Sequence, residues 1–302
     1  MNEAIITRGL VKRYGSVNAL DGFSLSIPSG SITGLVGRNG AGKTTWMMTV
    51  AGFILPDSGE INLLKSGPFD ASRHGDRFAM LPQDSELPHE AKVRALLTHY
   101  ARLQGLTAKA AKKSVDSLIK TFNLNDKANT PIRALSHGMR KRVMVAQAFL
   151  GNPKVVMLDE PLSGLDPVEA DRMRAFLISL RGKVTLVISS HQLDDVQKLC
   201  THVAFVEAGK VVRLETMQAL TSDAGRVVYE LRRPPTTLPS IAGVSVRQEG
   251  CALIAEFNPE LTVEAVNAAI IPQLLDSGLV SVVSGRTLAD AYLGNRSGLK
   301  LD

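Results

Sequence analysis

Apolar residues along the chain fall in short runs cut by turn signals, with no long unbroken stretch. Ile5 and Ile6 begin the first run, and Leu20, Phe23, Leu25 and Ile27 follow in loose alternation, so residues 1–30 predict short strands joined by turns. After the turn Pro28-Ser29-Gly30, the run from Ser31 to Val36 predicts a strand buried on both faces. Residues 153–159 and 183–189 repeat that signature in Val, Leu and Ile. Between these runs the period changes. Residues 89–104 and 107–122 predict two helices with Lys and Arg on their outer faces, separated by Gly105. Met139, Val143, Ala146 and Leu150 recur at helical spacing behind a capping residue, Ser136, and Gly151-Asn152-Pro153 stops that helix. Strands alternating with helices imply a largely parallel sheet covered on both sides.

The pattern shifts near residues 222–240, where Ser222-Asp223-Ala224-Gly225 and Arg232-Arg233-Pro234-Pro235 both read as breaks. Beyond them, residues 226–231, 243–248 and 251–257 predict strands, and 261–276 an amphipathic helix. Val280, Val282 and Val283 belong to a last strand, followed by a short helix from Thr287. The division expected is a large domain over 1–222, with a helical subdomain at about 84–134, and a small α+β accessory domain over 225–297.

Composition adds bounds rather than detail. Among 302 residues, 44% are hydrophobic and 21% charged, as in ordinary globular proteins, so a sizeable core needs no disulfide or metal staple. No apolar run reaches the ~18 residues of a membrane span. The N-terminus lacks the charged-then-apolar pattern of a secretory signal, so the chain is expected in the cytosol. Cys200 and Cys251 sit in no metal-binding spacing. The net charge of +6 fits a solvated surface, and equally an attraction to phosphates, nucleic acid or anionic lipid; charge alone does not choose.

Two motifs carry chemistry. Gly37-Arg38-Asn39-Gly40-Ala41-Gly42-Lys43-Thr44 fits GxxxxGK[ST] at every fixed position, follows an apolar strand and opens a helix-like stretch to Ala51. Such a loop wraps backbone N–H groups around phosphates, places the Lys43 ammonium on the β and γ phosphates and offers the Thr44 hydroxyl to Mg²⁺. The second is Val155-Val156-Met157-Leu158-Asp159-Glu160-Pro161, a buried strand with two carboxylates at its C-terminal end, where open α/β sheets hold ligands. Asp159 suits the magnesium shell, acting through water, and Glu160 suits a general base for an attacking water.

In their order along the chain, these and four further motifs resemble the ABC ATPase family over about residues 1–220. Gly37 to Thr45 looks like its Walker A loop, and Gln83 in Met80-Leu81-Pro82-Gln83 like the Q-loop glutamine. Leu135-Ser136-His137-Gly138-Met139 resembles the signature motif, and Asp159-Glu160 the Walker B pair. Ser163-Gly164-Leu165-Asp166 is similar to the D-loop, and His191 to the switch histidine. Tyr14 resembles the aromatic residue that stacks on adenine. His137 and Met139 depart from the usual LSGGQ; His137 reads either as added charge near the γ-phosphate or as a solvent-facing substitution.

The resemblance implies a P-loop ABC ATPase core: a mostly parallel sheet, an antiparallel β subdomain and a helical subdomain, with the small α+β domain appended. It also implies that ATP and Mg²⁺ are bound, with Thr44, Gln83 and Asp159 at the metal. Glu160, His191 and Gln83 would be catalytic, while Ser136, Gly138 and Asp166 would serve nucleotide bound across a head-to-tail dimer. The implied partners are a second ABC subunit, identical or paralogous, and a separate membrane-spanning subunit; no direct nucleic-acid contact is expected. That would hold the chain peripherally at the inner face of the cell membrane. Gly285 to Leu293 resembles the tail of exporter-type subunits. The alternatives are a soluble ABC ATPase acting on a ribosome or nucleic acid, and a regulatory subunit that binds ATP without turnover.

Overall fold

A computed structural model describes residues 2–221, 225–258, 261–285 and 288. The chain divides into two compact units, Met1–Glu215 and Thr216–Asp302.

The first unit opens with two twelve-residue strands, β1 (Glu3–Tyr14) and β2 (Val17–Pro28), paired antiparallel. They are longer than the alternation predicts. Irregular register between Thr7 and Leu10, and again between Lys12 and Arg13, shifts which residues face inward, so one continuous strand reads as short pieces. β3 (Ile32–Val36) is buried at every position, as expected of a central strand. Then come α1 (Lys43–Val50), β4 (Ser58–Leu63), which pairs with β1, and the short α2 (Ala71–His74). β5 (Phe78–Leu81) leads to the helical hairpin α3 (Val93–Leu103) and α4 (Ala108–Thr121). α3 begins four residues later than predicted, because Ala91 N–H bonds Pro88 C=O and Lys92 bridges Pro131.

Next is α5 (His137–Gln147), capped by the Ser136 hydroxyl, which accepts from Met139 N–H at 3.2 Å. β6 (Val155–Asp159), α6 (Pro167–Ser179), β7 (Thr185–Ser190), α7 (Leu193–Leu199), β8 (His202–Glu207) and β9 (Lys210–Thr216) complete the unit. Six strands form a sheet in the order β5-β6-β7-β3-β8-β9, and the pairs recorded from β5 through β8 are parallel. A three-stranded antiparallel sheet, β2-β1-β4, stands beside it. Their shared core includes Phe23, Leu35, Trp46, Met157 and Val206. Trp46 stacks on Phe23 at 5.6 Å and donates its indole N–H to the Thr7 hydroxyl at 3.1 Å, which fixes α1 against the antiparallel sheet.

The second unit holds α8 (Met217–Thr221), β10 (Arg226–Leu231), β11 (Val244–Glu249), β12 (Ala252–Phe257), α9 (Val263–Leu274) and β13 (Leu279–Ser284). The strands make an antiparallel sheet in the order β11-β12-β10-β13. The face carrying Val227, Tyr229, Leu253 and Ala255 packs with Val266, Ile270 and Leu274 of α9, a core separate from that of the first unit. The expected helix from Thr287 and the exporter-like tail lie outside the described residues, apart from Gly285 and Leu288.

Candidate active site

The phosphate-type loop runs from the end of β3 into α1, where the sequence expects it. Gly37 is needed for space: a Cβ there would lie 2.2 Å from the Val206 carbonyl oxygen. Gly42 is needed for conformation as well. It caps α1 at φ 107°, a region closed to other residues, and a Cβ would meet the Ala19 carbonyl at 2.6 Å. Ala41 N–H bonds the Arg38 carbonyl at 3.1 Å, curling the segment Arg38-Asn39-Gly40-Ala41 into a turn. Lys43 is buried, and its ammonium lies back over the loop, donating to Gly37 O at 2.7 Å and Arg38 O at 3.1 Å. Burial holds its pKa below the ordinary lysine value, against the opposing pull of Glu160 and Asp159.

Thr44 meets the second motif directly. Its hydroxyl donates to Asp159 Oδ2 at 2.7 Å, and the other oxygen of that buried carboxylate accepts from the Ser189 hydroxyl. Ser189 Oγ also accepts from Glu160 N–H at 3.0 Å. One buried hydroxyl on β7 thus ties the Asp159 side chain to the Glu160 backbone. Glu160 lies at φ 48°, a left-handed conformation that non-glycine residues adopt at a cost, and it turns the chain out of β6. Its carboxylate is mostly buried, and Oε1 lies 2.8 Å from Nδ1 of the half-exposed His191. Lys43, Thr44, Asp159, Glu160 and His191 therefore gather at the C-terminal ends of β3, β6 and β7.

The remaining residues lie in other places. Gln83 is exposed beyond β5 and lines a cleft of about 490 Å³ with Asp84, His137, Lys141, Ser163 and Gly164. Thr45 receives the Thr49 hydroxyl on its carbonyl oxygen, inside α1. Asp166 caps α6, accepting from Glu169 N–H at 3.0 Å. A Cβ built on Gly138 would meet Leu165 and Glu169 only at ordinary contact distance. A Cβ built on Gly164 would fall 2.9 Å from His137 Nε2, so the His137 ring lies against the D-loop of its own chain. Tyr14 ends β1 with its ring half exposed, outside the core, and Lys12 Nζ stands 5.8 Å from the ring centre.

Two residues here escaped the sequence reading. Ser189 had a visible signal, a hydroxyl directly after the apolar run Leu186-Val187-Ile188. Lys141 had none, since a lysine on a helix reads as solvated. It is buried nonetheless, and burial lowers its pKa against the fields of Glu160, Asp159 and Asp84.

A family model described as ABC transporter matches residues 20–163. The Nod factor export ATP-binding protein I of Ralstonia nicotianae is 35% identical over 229 residues, covering 74% of this chain and 70% of its own. The daunorubicin resistance ATP-binding protein DrrA3 of Streptomyces coeruleorubidus is 34% identical over 227 residues, 74% of this chain and 71% of its own. Among solved structures, cbiO1 of Clostridium perfringens, part of the ABC transporter complex cbiONQ, is 28% identical. It aligns with a TM-score of 0.64 over 73% of this chain and 91% of its own. An ATP-binding cassette solved as a dimer in a post-hydrolysis state with ADP and Pi shares the fold at 20% identity, with a TM-score of 0.64 over 70% of this chain and 98% of its own. Relatives sharing a third of their residues across most of both chains, on a common fold, show that this chain belongs to the ABC transporter family as an ATP-binding subunit that hydrolyses ATP to power transport.

Proposed function

We propose that the chain powers export through a separate membrane-spanning subunit, and that its turnover centre is the cluster Lys43, Thr44, Asp159, Glu160 and His191. The export direction is supported by the names of the Nod factor export and drug-resistance relatives. The observation that carries the site is the 2.8 Å contact between His191 and Glu160, set beside a phosphate-type loop. Among the described residues no helix is long and apolar enough to cross a membrane, so transport through a separate membrane subunit fits.

The loop from Gly37 to Thr45 and the N-terminus of α1 receive the triphosphate, and Tyr14 offers a flat ring for adenine. Lys43 leaves the carbonyls of Gly37 and Arg38 for phosphate oxygens, whose negative charge offsets the cost of burying its ammonium. The Thr44 hydroxyl and Asp159 carboxylate, already 2.7 Å apart, suit a hard cation that takes oxygen ligands, and Gln83 can add a third oxygen from the neighbouring cleft. Held by these residues, Mg²⁺ would supply charge stabilisation to the phosphate oxygens. Glu160 accepts the proton of the attacking water as the new O–P bond forms and the bond to ADP breaks. His191 holds the receiving carboxylate in place. Ser136, Gly138 and Asp166 serve the nucleotide of a second ABC subunit; the dimeric form of a cassette of this fold supports the pairing of two subunits. The chain then sits at the inner face of the membrane through its partner.

Glu160→Gln keeps the shape and removes the base. We expect ATP binding to persist while turnover falls about a hundredfold or more, roughly 3 kcal/mol of barrier. The variant should accumulate as ATP-bound dimers with Mg²⁺, visible by light scattering. Wild-type turnover in this variant would remove Glu160 from the base role. A variant inactive yet monomeric at saturating Mg·ATP, with and without the membrane subunit, would remove the dimer.

A further inference from the structure

Two stretches of this chain carry six cations each and no acidic residue, 91–115 and 127–158, and the first forms most of the α3–α4 hairpin. From Ala91 to Val115 there is no Asp or Glu, whereas Lys92, Arg94, Arg102, Lys109, Lys112 and Lys113 all fall within that stretch. Over α3 and α4, residues 93–121, six cations (Arg94, Arg102, Lys109, Lys112, Lys113, Lys120) face one carboxylate, Asp116, which leaves +5 from a whole-chain excess of +6. Asp116 is already paired with Arg94. Among the described residues no ion pair engages Lys109, Lys112, Lys113 or Lys120.

Geometry turns this composition into a surface. α4 buries Ala111, Val115, Leu118 and Ile119, so its opposite face is fixed outward. Lys109, Lys112, Lys113 and Lys120 occupy that face, all exposed, with the first three at i, i+3 and i+4 and hence neighbours on the helix surface. Across the turn, α3 ends in exposed Arg102 and in Leu103, which is 70% exposed. The tip of the hairpin therefore presents a large apolar side chain beside a row of unpaired ammonium groups. Four lysines against a single carboxylate, Asp116, which Arg94 already engages, depart from the mixed signs of an ordinary solvated face.

We infer that the α3–α4 hairpin tip is a docking surface for anionic phospholipid headgroups. Lys109, Lys112 and Lys113 supply the electrostatic attraction, and Leu103 enters the interface between headgroups and acyl chains. With Lys120 further along the same helix, the exposed cations of α4 number four, the lower end of the four to eight that an amphipathic helix uses for anionic lipid. The lysines lie along one helix face, which suits a plane of phosphates, and α4 itself contributes no Asn, Gln or Arg to read base edges. The inference goes beyond the ATPase reading and does not depend on nucleotide turnover.

The test uses the purified full-length chain and sedimenting vesicles of phosphatidylcholine, with and without about 30 mol% phosphatidylglycerol. Binding should occur on the anionic vesicles alone and vanish near 1 M salt, where the Debye length shrinks to about 3 Å. The triple variant Lys109→Gln, Lys112→Gln, Lys113→Gln should bind roughly a hundredfold more weakly, at about fivefold per lysine. Leu103→Ser should weaken binding further at fixed charge. Unchanged thermal unfolding of these surface variants shows that the fold is retained. Equal binding to neutral vesicles, or undiminished binding by the triple variant, overturns the inference. Salt-sensitive retention on duplex DNA or RNA without retention on anionic vesicles overturns it too, and reassigns the patch to nucleic acid. A hydrolysis-dead Glu160→Gln chain should bind the vesicles as wild type does, so failure of the ATPase reading and failure of this one remain distinguishable.

Discussion

Ser189 has two simultaneous hydrogen bonds, and both its partners belong to the turnover centre. Its hydroxyl donates to Asp159 and accepts from Glu160 N–H at 3.0 Å, entirely out of contact with solvent. Ser189→Ala leaves a buried carboxylate oxygen and a backbone N–H without this partner, at a cost of about 1–3 kcal/mol. The expected result is a lower unfolding midpoint together with slower turnover, because the turn that aims Glu160 loses its anchor while the Lys43 loop is untouched. Denaturant unfolding and steady-state hydrolysis on the same preparation check this; full stability with reduced turnover, or the reverse, would separate two roles joined here. At this scale the motif residues were legible because phosphate chemistry demands fixed residue types at fixed spacing. Ser189 and Lys141 were not, because what distinguishes them is burial, and burial depends on the packing of α5 and β7 around the carboxylates. The alternatives for His137 likewise required a structure: its ring lies against Gly164, a residue 27 positions away in sequence.

Between elements, Arg142 is the residue with most at stake. It is buried on α5, and its guanidinium donates to the carbonyls of Phe122 at 2.9 Å and Asn123 at 3.3 Å, just after α4. Its Nε approaches Glu169 Oε2 on α6 at 3.1 Å as an ion pair without the alignment of a hydrogen bond. Three helices thus depend on one side chain. Arg142→Ala strands two carbonyls and most of the charge of Glu169, and removal of one partner of a buried pair costs about 3–5 kcal/mol. Arg172, at 2.9 Å from the other oxygen of Glu169, recovers a little of this at the exposed rim. We expect a marked fall in unfolding midpoint for Arg142→Ala and a smaller additional fall on adding Glu169→Ala, the non-additivity being the measure of the pair. Element boundaries were less legible than element types. Leu150 continues the apolar spacing of α5, but the helix stops at Gln147; Ala148, Phe149 and Leu150 then bond three residues back, which keeps Leu150 inside without extending the helix. β1 and β2 read as short pieces for the same kind of reason: register irregularities altered the period along strands that are continuous.

For the molecule as a whole, a second unit with an apolar core of its own implies two separable stabilities. Every residue proposed to touch nucleotide lies in the unit Met1–Glu215, and the β10–β13 sheet with α9 encloses its own apolar core of Val227, Tyr229, Leu253, Val266 and Ile270. Within that second core the Tyr229 hydroxyl donates to Asn267 at 2.7 Å, so a buried polar group is satisfied inside the unit. A chain ending after Thr216 keeps all of β9, the edge of the six-stranded sheet. Such a chain should bind nucleotide within about twofold of the full length, because the cradle, the carboxylates and His191 are all retained. Trp46, the single tryptophan, is buried three residues after Lys43 and gives a fluorescence signal for the titration that truncation does not alter. Affinity reduced tenfold or more, about 1.4 kcal/mol, in a truncated chain with an intact unfolding transition would place a determinant of nucleotide binding in the second unit. Retained affinity with lost dimerisation would instead assign that unit to assembly, where the first core has no need of it.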